Sequence, residues 1–146
     1  MGFETLPSTL VLAGCVRAQR AGEHPARELY DSQLWGARRG YAERAGCAWL
    51  ILSAGHGLVH PLGLLGGYDA SPTPRDWALR CRALAPMIAL RFGLVEIHAG
   101  ARYAKPLAAE LDACGVGVVL PMEGLGIGQQ LARYNRLRRD AAGVRS

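Results

Sequence analysis

Short apolar runs alternate along this chain with longer stretches in which apolar residues recur every third or fourth position. Residues 9–13, 47–52, 95–99 and 116–120 are near-continuous apolar runs, the pattern of strands buried on both faces. After the first run, Ser32 can cap a helix whose apolar positions Leu34, Trp35, Ala37 and Tyr41 carry it to near Gly46. Thr73, Pro74 and Asp76 give a second helix start, with a hydroxyl cap, proline at the first position and an acid in the first turn. Its apolar stripe is Trp77, Cys81, Leu84 and Ile88, and Pro86 predicts a kink. Residues 103–113 and 127–139 read as two further helices, and the glycine- and proline-punctuated residues 53–72 read as a long loop.

Strand and helix alternate throughout, which predicts an α/β fold: a single three-layer domain over residues 1–146, with a mostly parallel sheet of about four strands flanked by helices. A chain of 146 residues can bury a sizeable core without staples. The pattern carries no information on strand order or on oligomeric state.

Composition narrows the function classes. No apolar stretch approaches the roughly 20 residues of a membrane span, and Met1-Gly-Phe-Glu-Thr5 lacks the basic start and apolar core of a secretory leader. Cys15, Cys47, Cys81 and Cys114 are far apart, without the paired spacing of metal sites or redox motifs. Free thiols in the cytoplasm, no membrane partner and no metal or other cofactor are therefore expected. The net charge of +5 raises nucleic acid as a partner. All basic residues except Lys105 are arginine, however, and only Arg133, Arg136, Arg138 and Arg139 cluster. A solvated helix face explains that cluster as well as a phosphate-binding one does, so polymeric nucleic acid stays an alternative rather than the favoured partner.

Chemically capable residues gather directly after the apolar runs, where open α/β sheets place their ligands. Cys15 follows the first run and is a candidate nucleophile with Arg17 and Arg20 nearby, or else a small core residue. Ser53-Ala-Gly-His56-Gly57 follows the second, offering His56 as acid or base, Ser53 as a polar contact and Gly57 for close backbone approach. Gly100-Ala-Arg-Tyr103-Ala-Lys105 follows the third and supplies Tyr103. The fourth leads into Glu123-Gly124-Leu-Gly126-Ile-Gly128-Gln129, whose amides and following helix suit an anion, although a plain tight turn has the same pattern. Glu123 and Asp69 are two carboxylates that could stabilise a developing cation and activate water, as cleavage of a sugar bond requires.

Taken in order, Gly14-Cys15, Ala26-Arg-Glu-Leu-Tyr30-Asp-Ser32, Ile51-Leu-Ser-Ala-Gly-His56-Gly-Leu58 with Pro61, Tyr68-Asp69, Ala99-Gly-Ala-Arg-Tyr103 and Pro121-Met-Glu-Gly-Leu-Gly-Ile-Gly128 span nearly the whole chain. This succession resembles a family of small bacterial proteins of unknown function related to YaaA-like proteins and, more distantly, to the lysine-transferring domain of archaeosine synthase. The resemblance implies that Cys15, Tyr30, Ser32, Ser53 and His56 line one pocket that takes a nucleotide or a modified base. The lysine-rich stretch expected after the cysteine is Val16-Arg-Ala-Gln-Arg20 here, a departure that weighs against amine transfer.

Together these readings predict an enzyme acting on a small nucleotide or modified nucleobase, cleaving or exchanging its N-glycosidic bond. The Gly124 to Gly128 turn, with Gly126 and Gln129, would hold phosphate, and Cys15, His56, Glu123 and Asp69 would carry the chemistry. A base-modifying transferase with Cys15 as nucleophile and a noncatalytic nucleic-acid-binding stress protein are the alternatives.

Overall fold

The computed structural model describes residues 8–143. In chain order the elements are β1 (Thr9–Gly14), β2 (His24–Pro25), α1 (Ala26–Leu29), α2 (Gln33–Arg44), β3 (Ala48–Ser53), β4 (Gly57–Val59), β5 (Leu64–Leu65), α3 (Pro74–Ala89), β6 (Leu94–His98), α4 (Ala101–Ala113), β7 (Gly117–Val119) and α5 (Ile127–Ala141). The main sheet has five strands in the order β4-β3-β1-β6-β7. β3, β1, β6 and β7 are parallel, and β4 runs antiparallel at the edge beside β3.

The four apolar runs form the four parallel strands, as their lack of polar alternation requires. Successive side chains of a strand face opposite ways, so β1 and β3 each feed two cores. Leu10, Leu12, Leu52, Val95 and Ile97 pack against Trp77, Cys81, Leu84 and Ile88 of α3 and against Leu107 and Leu111 of α4. On the opposite face Ala13 and Ile51 pack with Leu29, Tyr30 and Trp35. The helices pair in the same way, α3 with α4 and α2 with α5, which makes three layers.

The capping residues act as the sequence predicts. Ser32 Oγ accepts from the Trp35 N–H at 3.0 Å, and Thr73 Oγ1 accepts from the Asp76 N–H at 3.1 Å. α3 runs through Pro86, which lies on its exposed side, where the carbonyl left without an amide partner can be solvated. α4 starts at Ala101, two residues before the predicted Tyr103, with Gly100 as its N-cap.

Residues 53–72 depart most from the predicted loop. They hold β4, which turns back on β3 through Gly57 at φ +78°, and β5, which pairs with β2 in a small two-stranded sheet. Strands of two or three residues set between glycines are too short to show a period of two.

β1 is the centre of the design. The chain leaves it for β3 on one side and later returns to β6 on the other, which makes the carboxyl end of β1 a topological switch point. Gly14 stands there because a Cβ at that position would lie 2.6 Å from the Ala99 Cβ.

Candidate functional site

A cleft of about 510 Å³ opens at this switch point. Its walls are Cys15, Val16, Arg17 and Gln19 after β1, Ala54 after β3, Tyr68 to Ser71 from the long connection, and Arg102 and Tyr103 at the start of α4. The register accounts for the meeting of distant segments: Gly14 pairs with Leu52 and Ala13 with His98, so the residues that follow all three strands emerge at one edge.

Cys15 is fixed on both sides of its peptide. Its N–H donates to the Leu52 carbonyl at 3.0 Å, and its Sγ accepts from the Ala54 N–H at 3.4 Å. Beside it stands a chain of hydroxyls, with the Tyr68 Oη 2.8 Å from the Ser53 Oγ and 2.6 Å from the Tyr30 Oη. Ser53 is fully buried and also accepts from the His56 N–H at 3.1 Å. Burial raises both phenols above their ordinary value, so Tyr30 and Tyr68 stay protonated at neutral pH. The Gln19 Oε1 holds the Tyr68 N–H at 2.9 Å. Gly55 makes room for the Tyr68 ring, which a Cβ there would approach to 2.9 Å.

The cleft carries two cations and one carboxylate, Arg17, Arg102 and Asp69. Arg102 donates to the Pro72 carbonyl and lies 5.3 Å from the centre of the Tyr103 ring. Tyr103 is held in turn by Trp77, whose Nε1–H donates to its carbonyl at 3.1 Å.

Of the residues singled out from sequence, the cleft brings together Cys15, Asp69 and Tyr103. Tyr30 and Ser53 stand behind its wall through Tyr68. His56 is exposed and packs edge-on against the Tyr68 ring, with centroids 4.7 Å apart. Gly57 serves the turn into β4, where a Cβ would approach the Arg80 Nη1 to 2.9 Å. Ser32 caps α2 and lines a separate surface depression with Tyr30 and Asp31.

The glycine turn before α5 also lies elsewhere. Glu123, Gly124 and Leu125 line a second cavity of about 220 Å³ together with Gly100, Ala101 and Lys105. Gln129 spends its side chain on the helix itself, its Oε1 accepting from the Gly126 N–H at 3.0 Å, while Gly128 is exposed in the first turn of α5. Glu123 and Asp69 thus belong to different cavities. Among the described residues, no three His, Cys, Asp or Glu side chains gather as a metal site requires.

Sequence reasoning missed a second polar cluster between the sheet and the α2–α5 layer. Glu96 and His98 point to one face of β6, where the His98 Nε2 is 3.1 Å from the Glu96 Oε1 and its Nδ1 is 2.6 Å from the Tyr134 Oη. Tyr41 donates to the Glu96 Oε1 at 2.7 Å. Arg38, only 4% exposed, donates from Nη1 to the Gly14 carbonyl at 3.0 Å. The signal was Glu96-x-His98, two polar residues at a spacing of two inside a run otherwise read as apolar.

The cleft lies where α/β proteins bind small molecules, and it offers a thiol, a carboxylate, phenols and arginines. Comparison with known sequences places the chain in a family: a family of unknown function, DUF6884, matches residues 10–136, and the chain belongs to it. Apart from Thr9, the match spans all five strands of the main sheet, and it takes in most of α5. No curated protein and no solved structure gives a significant match. No helix among the described residues is long and apolar enough to cross a membrane.

Proposed function

We propose that the chain is a cytoplasmic enzyme that binds a small nucleotide in the cleft at the end of β1 and cleaves or exchanges its N-glycosidic bond. The observation that carries this reading is the set of groups on one cleft: two arginines, an aromatic ring, a carboxylate and protonated phenol chemistry around about 510 Å³. Phosphate falls to Arg17 and Arg102, whose planar donors match it. Tyr103 offers a face for the base. Asp69 stabilises positive charge on the sugar as the bond to the base breaks, and water or an incoming base takes the sugar carbon. Tyr68, its hydroxyl engaged by Tyr30 and Ser53, supports the wall of the cleft, and the departing base takes its proton from solvent.

Cys15 on the same cleft favours a second reading, a base-modifying transferase with the thiol as nucleophile. Incubation with a panel of nucleoside mono- and diphosphates, followed by chromatography for free base, tests the first reading. Release abolished by Asp69→Asn and retained by Cys15→Ala supports it. Absence of release from every nucleotide overturns it. Release that requires Cys15 transfers the case to the second reading.

A further inference from the structure

A groove of about 790 Å³, larger than the cleft, lies at the amino end of the parallel strands. It exists because β4 is short. Val59 pairs with Ile51, so Ala48, Trp49 and Leu50 have no strand beside them on that side, and the end of α3 with Phe92 forms the far wall instead. The floor belongs to the core, with Leu10 fully buried and Ile88 3% exposed. The rim is apolar and open to water, with Leu62, Met87 and Leu90 at 58%, 63% and 86% exposure. Large apolar side chains left exposed around one groove mark a binding surface.

The charges on this groove are of one sign. Arg27 and Arg91 line it, and no aspartate or glutamate does. Arg27 is answered by Glu43 at 3.3 Å, whereas Arg91 is exposed and forms no ion pair among the described residues. A second copy of the chain fits poorly, because a two-fold contact sets the patch against itself and arginine against arginine. An added strand fits poorly too. Alternate residues of β3 turn their peptide groups to β1, as the Leu52 carbonyl does to the Cys15 N–H, so only those of Trp49 face outward in the gap.

A small molecule with an apolar body and one anionic end answers all of these features, and the volume is of the size such ligands occupy. We infer that this groove binds an amphipathic carboxylate, its alkyl chain lying along Trp49, Leu50 and Leu58 over the Leu10 floor and its headgroup at Arg91. The site shares no lining residue with the cleft and does not depend on the nucleotide reading.

Trp49 supplies the readout. The other two tryptophans, Trp35 and Trp77, are buried away from the groove, so a bromine atom on a bound ligand quenches Trp49 by contact. Titration of the full chain with ω-bromoundecanoate should give saturable quenching that is absent in Trp49→Phe. At physiological ionic strength the carboxylate should bind about tenfold more tightly than ω-bromoundecyltrimethylammonium, and Arg91→Glu should remove most of that preference. Met87→Glu, which sets a carboxylate on the apolar rim, should weaken binding of the bromoundecanoate about tenfold. Absence of saturable quenching overturns the inference, as does equal affinity for the two headgroups, and both results come from the unmodified protein whether or not any variant folds. Quenching that survives in folded Trp49→Phe also overturns it. A dimer in sedimentation velocity that Met87→Glu dissociates gives the groove to a second copy and overturns it as well. Failure of every nucleotide to release base removes the glycosidic reading alone and leaves this site standing.

Discussion

The hydroxyls of Tyr30 and Tyr68, 38 residues apart in the chain, meet at 2.6 Å behind the cleft. The contact joins the segment after α1 to the long connection before α3, and the Ser53 Oγ at 2.8 Å extends it to the end of β3. The wall of the cleft is therefore tied together by side chains rather than by the sheet.

Tyr68→Phe should destabilise the protein by about 1–3 kcal/mol, because it takes the partner of the buried Tyr30 hydroxyl and one of the two partners of the fully buried Ser53 hydroxyl, which keeps only the His56 N–H. Tyr30→Phe added to it should cost less than it does alone, a coupling of about 0.5 kcal/mol or more. Urea unfolding of the two single variants and the double variant checks both statements, and strict additivity contradicts them.

Gly14→Ala should cost about 1–3 kcal/mol, the cost of overpacking, since its Cβ would meet the Ala99 Cβ at 2.6 Å and the His98 carbonyl at 3.0 Å between adjacent strands. Gly128→Ala, where an added Cβ meets nothing within 4 Å, should be close to neutral or stabilising. Thermal melts of the two variants side by side provide the comparison.

Glu96 gives the protein an acid-sensitive component. Hydrogen bonding from His98, and then from Tyr41, outweighs burial and holds its carboxyl below the ordinary value of 4.5. A folded-state value below the unfolded one means stability that is full above pH 4.5 and is lost as pH falls through the folded value. The stability difference between the unmodified protein and Glu96→Gln should therefore be greatest near neutral pH and shrink below pH 4.5, as chemical denaturation at a series of pH values would record.

Neutralising Arg136, Arg138 and Arg139 together should leave nucleotide turnover unchanged, because none of them lines the cleft. Arg133, the fourth of the group, donates to the Pro121 carbonyl at 2.8 Å and so has a structural task already. Fluorescence anisotropy with a labelled 20-nucleotide RNA at low and moderate salt checks the alternative. Tight, steeply salt-dependent binding lost in the triple variant would favour a nucleic-acid-binding protein instead.

The sequence by itself determined the four parallel strands and the helix starts at Ser32 and Thr73, and it placed Cys15, Ser53 and Tyr103 just after strand ends. Those features follow from local rules: apolar runs that must be buried on both faces, hydroxyls that satisfy free amides, and strand ends that share a side. Strand order lay beyond it, and with it went the division of the site. Glu123 and Gly124 follow β7, two strands away from β1, so they line a cavity against α4 instead of joining Cys15. Arg38 and Tyr134 were equally hidden, because a side chain on a helix becomes a partner of Gly14 or His98 only when that helix packs on a particular face of the sheet. Such long-range pairings depend on which layers meet, and periodicity within a segment does not encode that.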